Sequence, residues 1–215
     1  MARTAGSDGT RTHEAIRQAA IALIAERGFE AMTLRQLAER VGVQPGSLYR
    51  YFPSKNRMLV ELMVEHLEFL LDGWQREEPD ACEPGALLRA FVDFHIRSHM
   101  LRRREVFVAN MELRSLASAD RRRVVALRRR YEDILAGILH AGVASGVFRV
   151  PDPRIATFAV LAMLTGVGAW FNDTGRIGKR DLIDQYTQLV LQCVGFDPAQ
   201  AVRGGANAPS QRRND

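Results

Sequence analysis

At 215 residues the chain can bury one sizeable core or two modest ones. With 47% hydrophobic and 26% charged residues it has the composition of a soluble globular protein, which excludes a low-complexity chain. The formal charge of +5 is unevenly placed: residues 1–60 hold nine Arg/Lys against five Asp/Glu, whereas residues 61–150 hold fourteen of each, so the basic excess sits at the N-terminus, as suits an encounter with a polyanion.

Residues 1–11 carry Arg3, Asp8 and Arg11 and have no apolar run, so they are expected to be a flexible N-terminus rather than a signal peptide. From about residue 12 the 3.6-residue period recurs and no segment alternates convincingly, which predicts an all-α fold. A helix over 12–27 puts Ile16, Ala19, Ala20, Leu23 and Ile24 on one stripe and stops at Gly28. Thr33 is a good N-cap for a short helix over 34–40 that Gly42 breaks, and Pro45 can open another short helix reaching about residue 51. Ser54, after Pro53, caps a long helix to about residue 76. Beyond a loop marked by Pro79, Pro84 and Gly85, helices are predicted over 86–100, 104–116 and 121–144, the last ended by Gly146. Asp152 and Pro153 start an apolar helix to about residue 171, Asn172, Asp173 and Gly175 make a turn, and 181–194 is the final helix. Residues 197–215 are rich in Ala, Gly, Pro, Asn and Arg and are expected to be a disordered tail.

Residues 34–51 have the make-up of a helix-turn-helix. Two short helices that cross steeply need a small residue where they approach, which Ala38 supplies. They also need a sharp turn four residues on, where Gly42 tolerates positive φ. Leu37, Val41, Val43 and Leu48 can close a small core with the first helix, and Phe52 reads as core as well. That leaves Gln44, Pro45, Gly46, Ser47, Tyr49, Arg50 and Tyr51 for the outer face and the walls of a DNA groove.

The run Gly28-Phe29-Glu30-Ala31-Met32-Thr33-Leu34, then Ala38 and Gly42-Val43, then Gly46-Ser47-Leu48-Tyr49-Arg50-Tyr51-Phe52-Pro53-Ser54-Lys55, resembles the DNA-binding signature of the TetR family over about residues 12–60. Gln44, where a small capping residue is usual, and Asn56, where an acid often follows the lysine, depart from it. The resemblance implies a homodimeric repressor that leaves double-stranded operator DNA when a small-molecule effector enters its C-terminal domain. It divides the chain into a three-helix helix-turn-helix domain over 12–53 and a helical effector-binding and dimerisation domain over 54–196. By the same resemblance, Thr33, Tyr49, Tyr51 and Lys55 are expected on phosphates. Gln44, Ser47 and Arg50 are expected at base edges, and Pro45 and Gly46 let the backbone approach the groove floor. Arg35 either touches phosphate or faces water.

In the C-terminal half, Glu112-Leu113-Arg114-Ser115, the run Gly142-Val143-Ala144-Ser145-Gly146-Val147-Phe148, and Trp170-Phe171 with Gly175 and Tyr186 resemble the branch of that family whose effectors are acyl-CoA thioesters. This implies control of fatty-acid, sterol or aromatic-acid catabolism, with the effector bound among Phe91, His95, Met111, Arg114 and Trp170; a hydrophobic drug or lipid is the alternative. Charge is segregated here. Residues 61–83 hold eight acids and one base, and residues 97–130 hold eleven arginines against Glu105, Glu112 and Asp120. The planar fork of arginine suits phosphate, although the same helices can pair with the acidic one or face water. His95 and His99 have a spacing compatible with metal ligation, but no carboxylate or cysteine completes a site, so neither a metal nor another cofactor is expected.

Residues 155–172 contain no charge and approach the roughly 18 residues of a membrane span. Thr157, Thr165, Gly166 and Gly168 dilute this stretch, and charge follows closely on both sides, so it is expected between helices or subunits instead of in a membrane. Leu161, Leu164, Val167, Gly168 and Phe171, with Leu182, Tyr186, Leu189, Val190 and Cys193, are expected to form a four-helix bundle with their symmetry mates. No enzyme is expected. A di-iron bundle needs Glu-x-x-His pairs, and none of His13, His66, His95, His99 and His140 has a glutamate three residues before it; no nucleophile motif or glycine-rich phosphate loop appears either. A purely architectural DNA binder would not need so long and apolar a remainder. Cys82 and Cys193 match no metal or redox spacing and read as free thiols of a cytoplasmic protein.

Overall fold

The computed structural model describes residues 5–80 and 83–199, with side chains from residue 9 onward. In chain order these form α1 (Ala5–Arg27), α2 (Leu34–Val41), α3 (Pro45–Leu48), α4 (Lys55–Glu77), α5 (Pro84–Leu101), α6 (Arg103–Met111), a 3-10 turn (Glu112–Ser115), α7 (Ser118–Ala144), α8 (Pro153–Trp170) and α9 (Lys179–Cys193). No strand occurs among the described residues. Cys82 and residues 200–215 of the expected tail lie outside them. Asp197 is held in place: its N–H donates to the Val147 carbonyl at 3.0 Å and its carboxylate accepts from Arg149 at 3.1 Å.

The helices group into two compact units, and the division does not follow the expected boundary at residue 53. The first unit comprises the chain up to Phe69 together with Arg102–Arg128; the second comprises Leu70–Leu101 and the chain from Arg129. The reason lies in burial. Ile16, Ala20, Leu23 and Ile24 of α1 pack with Leu37, Leu48, Phe52, Leu59 and Met63, and the same core takes in Val108 and Ala109 of α6, Leu116, and Val124 of α7. The segment from α6 to the start of α7 thus shares one core with the first four helices, and a shared core enlarges the apolar surface that a small unit can bury.

α1 begins at Ala5, so residues 5–11, expected to be flexible, are helical. Its first buried apolar residue is Ile16, which is why periodicity revealed only the later turns. α6 stops at Met111, short of the predicted 116, and tightens into the 3-10 turn. There the buried carboxylate of Glu112 accepts the N–H of Phe29 at 3.0 Å and the hydroxyl of Ser115 at 2.8 Å. The cap chemistry that starts the later helices is local. Glu83 accepts the N–H groups of Gly85 and Ala86 ahead of α5, and Asp152 accepts those of Arg154 and Ile155 ahead of α8.

In the second unit α5 packs on α8 and α9. Phe91, Phe94, Leu135, Leu139, Leu164, Val167 and Val190 fill this core. The run from Gly142 to Phe148 has a steric reason. The Phe148 ring lies over Gly142 so closely that a Cβ there would sit 1.9 Å from it, and the Phe148 N–H donates to the Gly142 carbonyl at 2.9 Å.

Candidate nucleic-acid interface

α2 is built from both ends. Thr33 Oγ1 accepts the Gln36 N–H at 3.2 Å and Gln36 Oε1 accepts the Thr33 N–H at 3.0 Å, a reciprocal capping box. The Thr33 hydroxyl acts as acceptor there, so its proton stays available for an outside oxygen. At the other end Gly42 adopts φ +75°, a region that a Cβ disfavours, and the Val43 N–H reaches back to the Ala38 carbonyl at 3.0 Å. Ala38 and Leu37 are fully buried.

α3 is shorter than expected, ending at Leu48 instead of reaching residue 51. The N–H groups of Tyr51 and Phe52 both donate to the Leu48 carbonyl at 2.9 Å, and Pro53 disfavours helical backbone at Phe52, so the chain turns under its own buried Leu48 and Phe52. Gln44, Pro45, Gly46, Tyr49 and Arg50 are exposed, and Ser47 and Tyr51 are half-buried. Gln44 stands at the N-cap position but makes no capping bond, which leaves its amide uncommitted.

Arg35 pairs with Glu39 at 3.2 Å while its side chain is 83% exposed. Such a pair is worth a few tenths of a kcal/mol at most and yields readily to a phosphate. Arg40 binds Glu26 through two hydrogen bonds, and that bonding holds the Glu26 carboxyl below its ordinary range. Lys55 Nζ donates to the Glu30 carbonyl at 3.1 Å and lies 4.4 Å from the centre of the Phe29 ring, with two further N–H groups to offer. Sequence reasoning missed Gln36 and His13. Gln36 was legible, since Thr33-x-x-Gln36 is a capping-box spacing. His13, whose ring stacks on Phe52 with centres 5.0 Å apart, is marked by no pattern.

The second unit holds a buried polar cluster in apolar surroundings. The Phe91 ring is fully buried, 5.3 Å from Trp74 and 5.9 Å from His95. His95 Nδ1 is 3.1 Å from Tyr131 Oη and its Nε2 is 3.2 Å from Thr165 Oγ1; either tautomer satisfies both hydroxyls. His99 stacks on His95 at 3.7 Å and burial pulls its pKa to about 4, while burial pushes the Tyr131 phenol up so that it stays protonated. Met111 and Arg114 lie at the end of α6 and in the 3-10 turn of the first unit, and both are exposed. Trp170 is 55% exposed: it ends α8, and the next residue, Phe171, is the one that turns inward. Of the expected effector residues, Phe91 and His95 are brought together in this unit, and Trp170 meets Phe171 and Tyr186. A groove of about 1110 Å³ on this unit, lined by Arg89, Arg97, Lys179 and Arg180 among others, was not anticipated. Among the described residues no three potential metal ligands cluster.

The residues expected at a subunit interface divide differently. Leu164, Val167, Phe171, Leu182 and Val190 are buried in the chain's own core, Leu161, Gly168 and Tyr186 are half-buried, and Leu189 and Cys193 are exposed. α8 nevertheless leaves a long apolar face uncovered. Ile155, Phe158, Ala159, Ala162, Gly166, Ala169 and Trp170 are exposed. By length and composition alone this helix could cross a membrane, and only 22% of it is buried.

A family model for the bacterial regulatory proteins of the tetR family matches residues 16–62, and one for the tetracyclin repressor-like C-terminal domain matches residues 81–194. The chain belongs to the TetR family. This TetR-family regulator is 28% identical over 190 residues to the HTH-type transcriptional repressor KstR2 of Rhodococcus jostii, covering 87% of this chain and 92% of the relative. The crystal structure of the TetR family transcriptional regulator PfmR from Thermus thermophilus superposes with a TM-score of 0.74 at 31% identity, covering 82% of this chain and 97% of that one. AibR in complex with isovaleryl coenzyme A and operator DNA shares the fold, with a TM-score of 0.75 at 23% identity over 86% of this chain and 100% of its own.

Proposed function

We propose that the protein is a one-component repressor whose homodimer binds a pseudo-palindromic operator and is released by an acyl-CoA thioester. The observation that carries the DNA-binding half is the exposed set Gln44, Pro45, Gly46, Tyr49 and Arg50, displayed on and just after a short helix whose own apolar residues are buried. Gln44, Ser47 and Arg50 read base edges. Thr33 and Lys55, with Tyr49, Tyr51 and Arg35, contact phosphates. The uncovered face of α8 around Ala162 and Gly166, continued by Leu189 and Cys193 on α9, meets its symmetry mate, which sets two recognition helices against two half-sites. The protein works in the cytoplasm, beside chromosomal DNA, and carries out regulation and no catalysis.

The effector half rests on the polar cluster of His95, Tyr131 and Thr165 inside an apolar unit. That combination suits a largely hydrophobic ligand with a hydrogen-bonding carbonyl. The isovaleryl coenzyme A held by AibR supports the same class of ligand. Release requires the ligand to bind the DNA-incompetent conformation more tightly, since equal affinity for both conformations shifts nothing. The test begins with selection of bound duplexes from a random library, followed by titration of the complex with free CoA, free acids and their thioesters. Release by a thioester and not by its parts supports the reading. Indifference to every thioester, with release by a cationic drug or an uncharged lipid, defeats the effector assignment. Failure to enrich any duplex defeats the repressor reading itself.

A further inference from the structure

Glu112 is a buried carboxylate, 7% exposed, in the first unit. Its Oε1 accepts the N–H of Phe29, 83 residues earlier, and its Oε2 accepts the Ser115 hydroxyl, which steadies the acceptor from within its own 3-10 turn. Phe29 follows Gly28, which leaves α1 with φ +80° and whose absent Cβ would lie 3.6 Å from Glu112 Oε1. The turn that begins there reaches Thr33, the cap of α2, within four residues. Its Phe29 ring is buried beneath Lys55 Nζ, and its Glu30 carbonyl accepts from that same ammonium. Burying a carboxylate is costly, and an apolar side chain would fill the space without that cost; what the carboxylate adds is direction, because only an acceptor aligned on the Phe29 N–H recovers the lost hydration.

We infer that Glu112 is a positioning residue for DNA recognition: its carboxylate fixes the Phe29 turn, and with it the seating of α2 and α3 against the end of α6. A displacement of the α6 end therefore reaches the recognition turn through this hydrogen bond. The inference rests on the DNA-binding reading above and adds to it the residue that links the helix-turn-helix to the segment beyond α5.

The test uses the full-length protein, the duplex enriched by the wild type, and an unrelated duplex of equal length, with the active fraction counted by stoichiometric titration. Glu112→Gln keeps an acceptor for Phe29 and a donor for the Ser115 oxygen, and should stay within roughly threefold of the wild type on both duplexes. Glu112→Ala should bind the enriched duplex about tenfold more weakly at unchanged active fraction. Binding to the unrelated duplex, carried by phosphate contacts, should change much less. Ser115→Ala, a mild change that frees one end of the carboxylate, should give a smaller loss of the same kind and faster amide exchange at Phe29. Equal losses on both duplexes, or a loss explained by a lower active fraction, overturn the inference and leave Glu112 a packing residue. Should Glu112→Ala not fold, Ser115→Ala decides: wild-type exchange at Phe29 with wild-type duplex preference overturns it. A wild type that enriches no duplex overturns the DNA-binding reading and this inference together, a result separate from all of these.

Discussion

Replacing Lys55 by alanine tests the phosphate assignment quantitatively. In the free protein the substitution removes the 3.1 Å hydrogen bond to the Glu30 carbonyl and the ammonium 4.4 Å from the Phe29 ring. Both contacts are only partly shielded from water, so the loss of stability should be on the order of 1–2 kcal/mol. On DNA the homodimer loses one phosphate contact per protomer, which should flatten the slope of log affinity against log salt by about 1.8. Lys55→Arg retains the charge and should retain the slope. Fluorescence anisotropy across a salt series, on the enriched duplex and on its single-base variants, reads both quantities. Affinity should fall by a common factor on every variant duplex. A change in base preference with a wild-type salt slope would refute the assignment and move Lys55 from the backbone to a base edge.

Further substitutions probe the dimer, the core and the histidines. Gly166 is exposed on α8 with nothing within 4 Å of an added Cβ, so Gly166→Glu should leave the chain folded yet yield a monomer in light scattering at micromolar concentration; a stable dimer would place the interface elsewhere. Gly142→Ala drives a methyl into the buried Phe148 ring and should lower stability by roughly 3 kcal/mol in urea unfolding, whereas a loss below about 1 kcal/mol would mean that the ring moves freely. His99 titrates near 4 in the fold against 6.5 in a free chain, so the unfolded state takes up the proton first. The stability from keeping this ring neutral is complete above pH 6.5 and drains away toward pH 4, on the order of 3 kcal/mol in all. In His99→Gln that share of the acid-side loss should vanish, and an unaltered pH profile of the urea midpoint would contradict the burial argument.

What could be seen in the sequence was what is locally determined. Thr33, Gly42, Pro45 and the Asp152-Pro153 pair act within one turn of chain, and their helices begin or end where that chemistry requires. The exposure of Gln44, Pro45, Gly46, Tyr49 and Arg50 followed from the same local frame. Non-local choices stayed hidden. In α8 almost every residue is apolar, so nothing in the sequence separates Leu164 and Val167, which face their own chain's core, from Ala162 and Gly166, which do not. Met111 and Arg114 lie on a segment whose helix α6 shares the core of α1, a long-range choice that the local pattern around neither residue reveals. The hydrogen bond between Glu112 and Phe29 spans 83 residues and leaves no trace in either segment's pattern.

That α6 and the start of α7 complete the core beneath the helix-turn-helix bears on how such regulators can be recombined. A hybrid that imports a foreign DNA-reading segment with one crossover after residue 62, where the N-terminal family match ends, would set new α1 and α4 surfaces against Val108, Ala109, Leu116 and Val124 inherited from the old host. Mismatched volumes there cost stability in the core that α1 and α4 share with this segment. Grafting the specificity of one relative onto the sensor of another therefore calls for two exchanged pieces, the chain up to Phe69 and the segment Arg102–Arg128, with junctions inside α4, between α5 and α6, and inside α7.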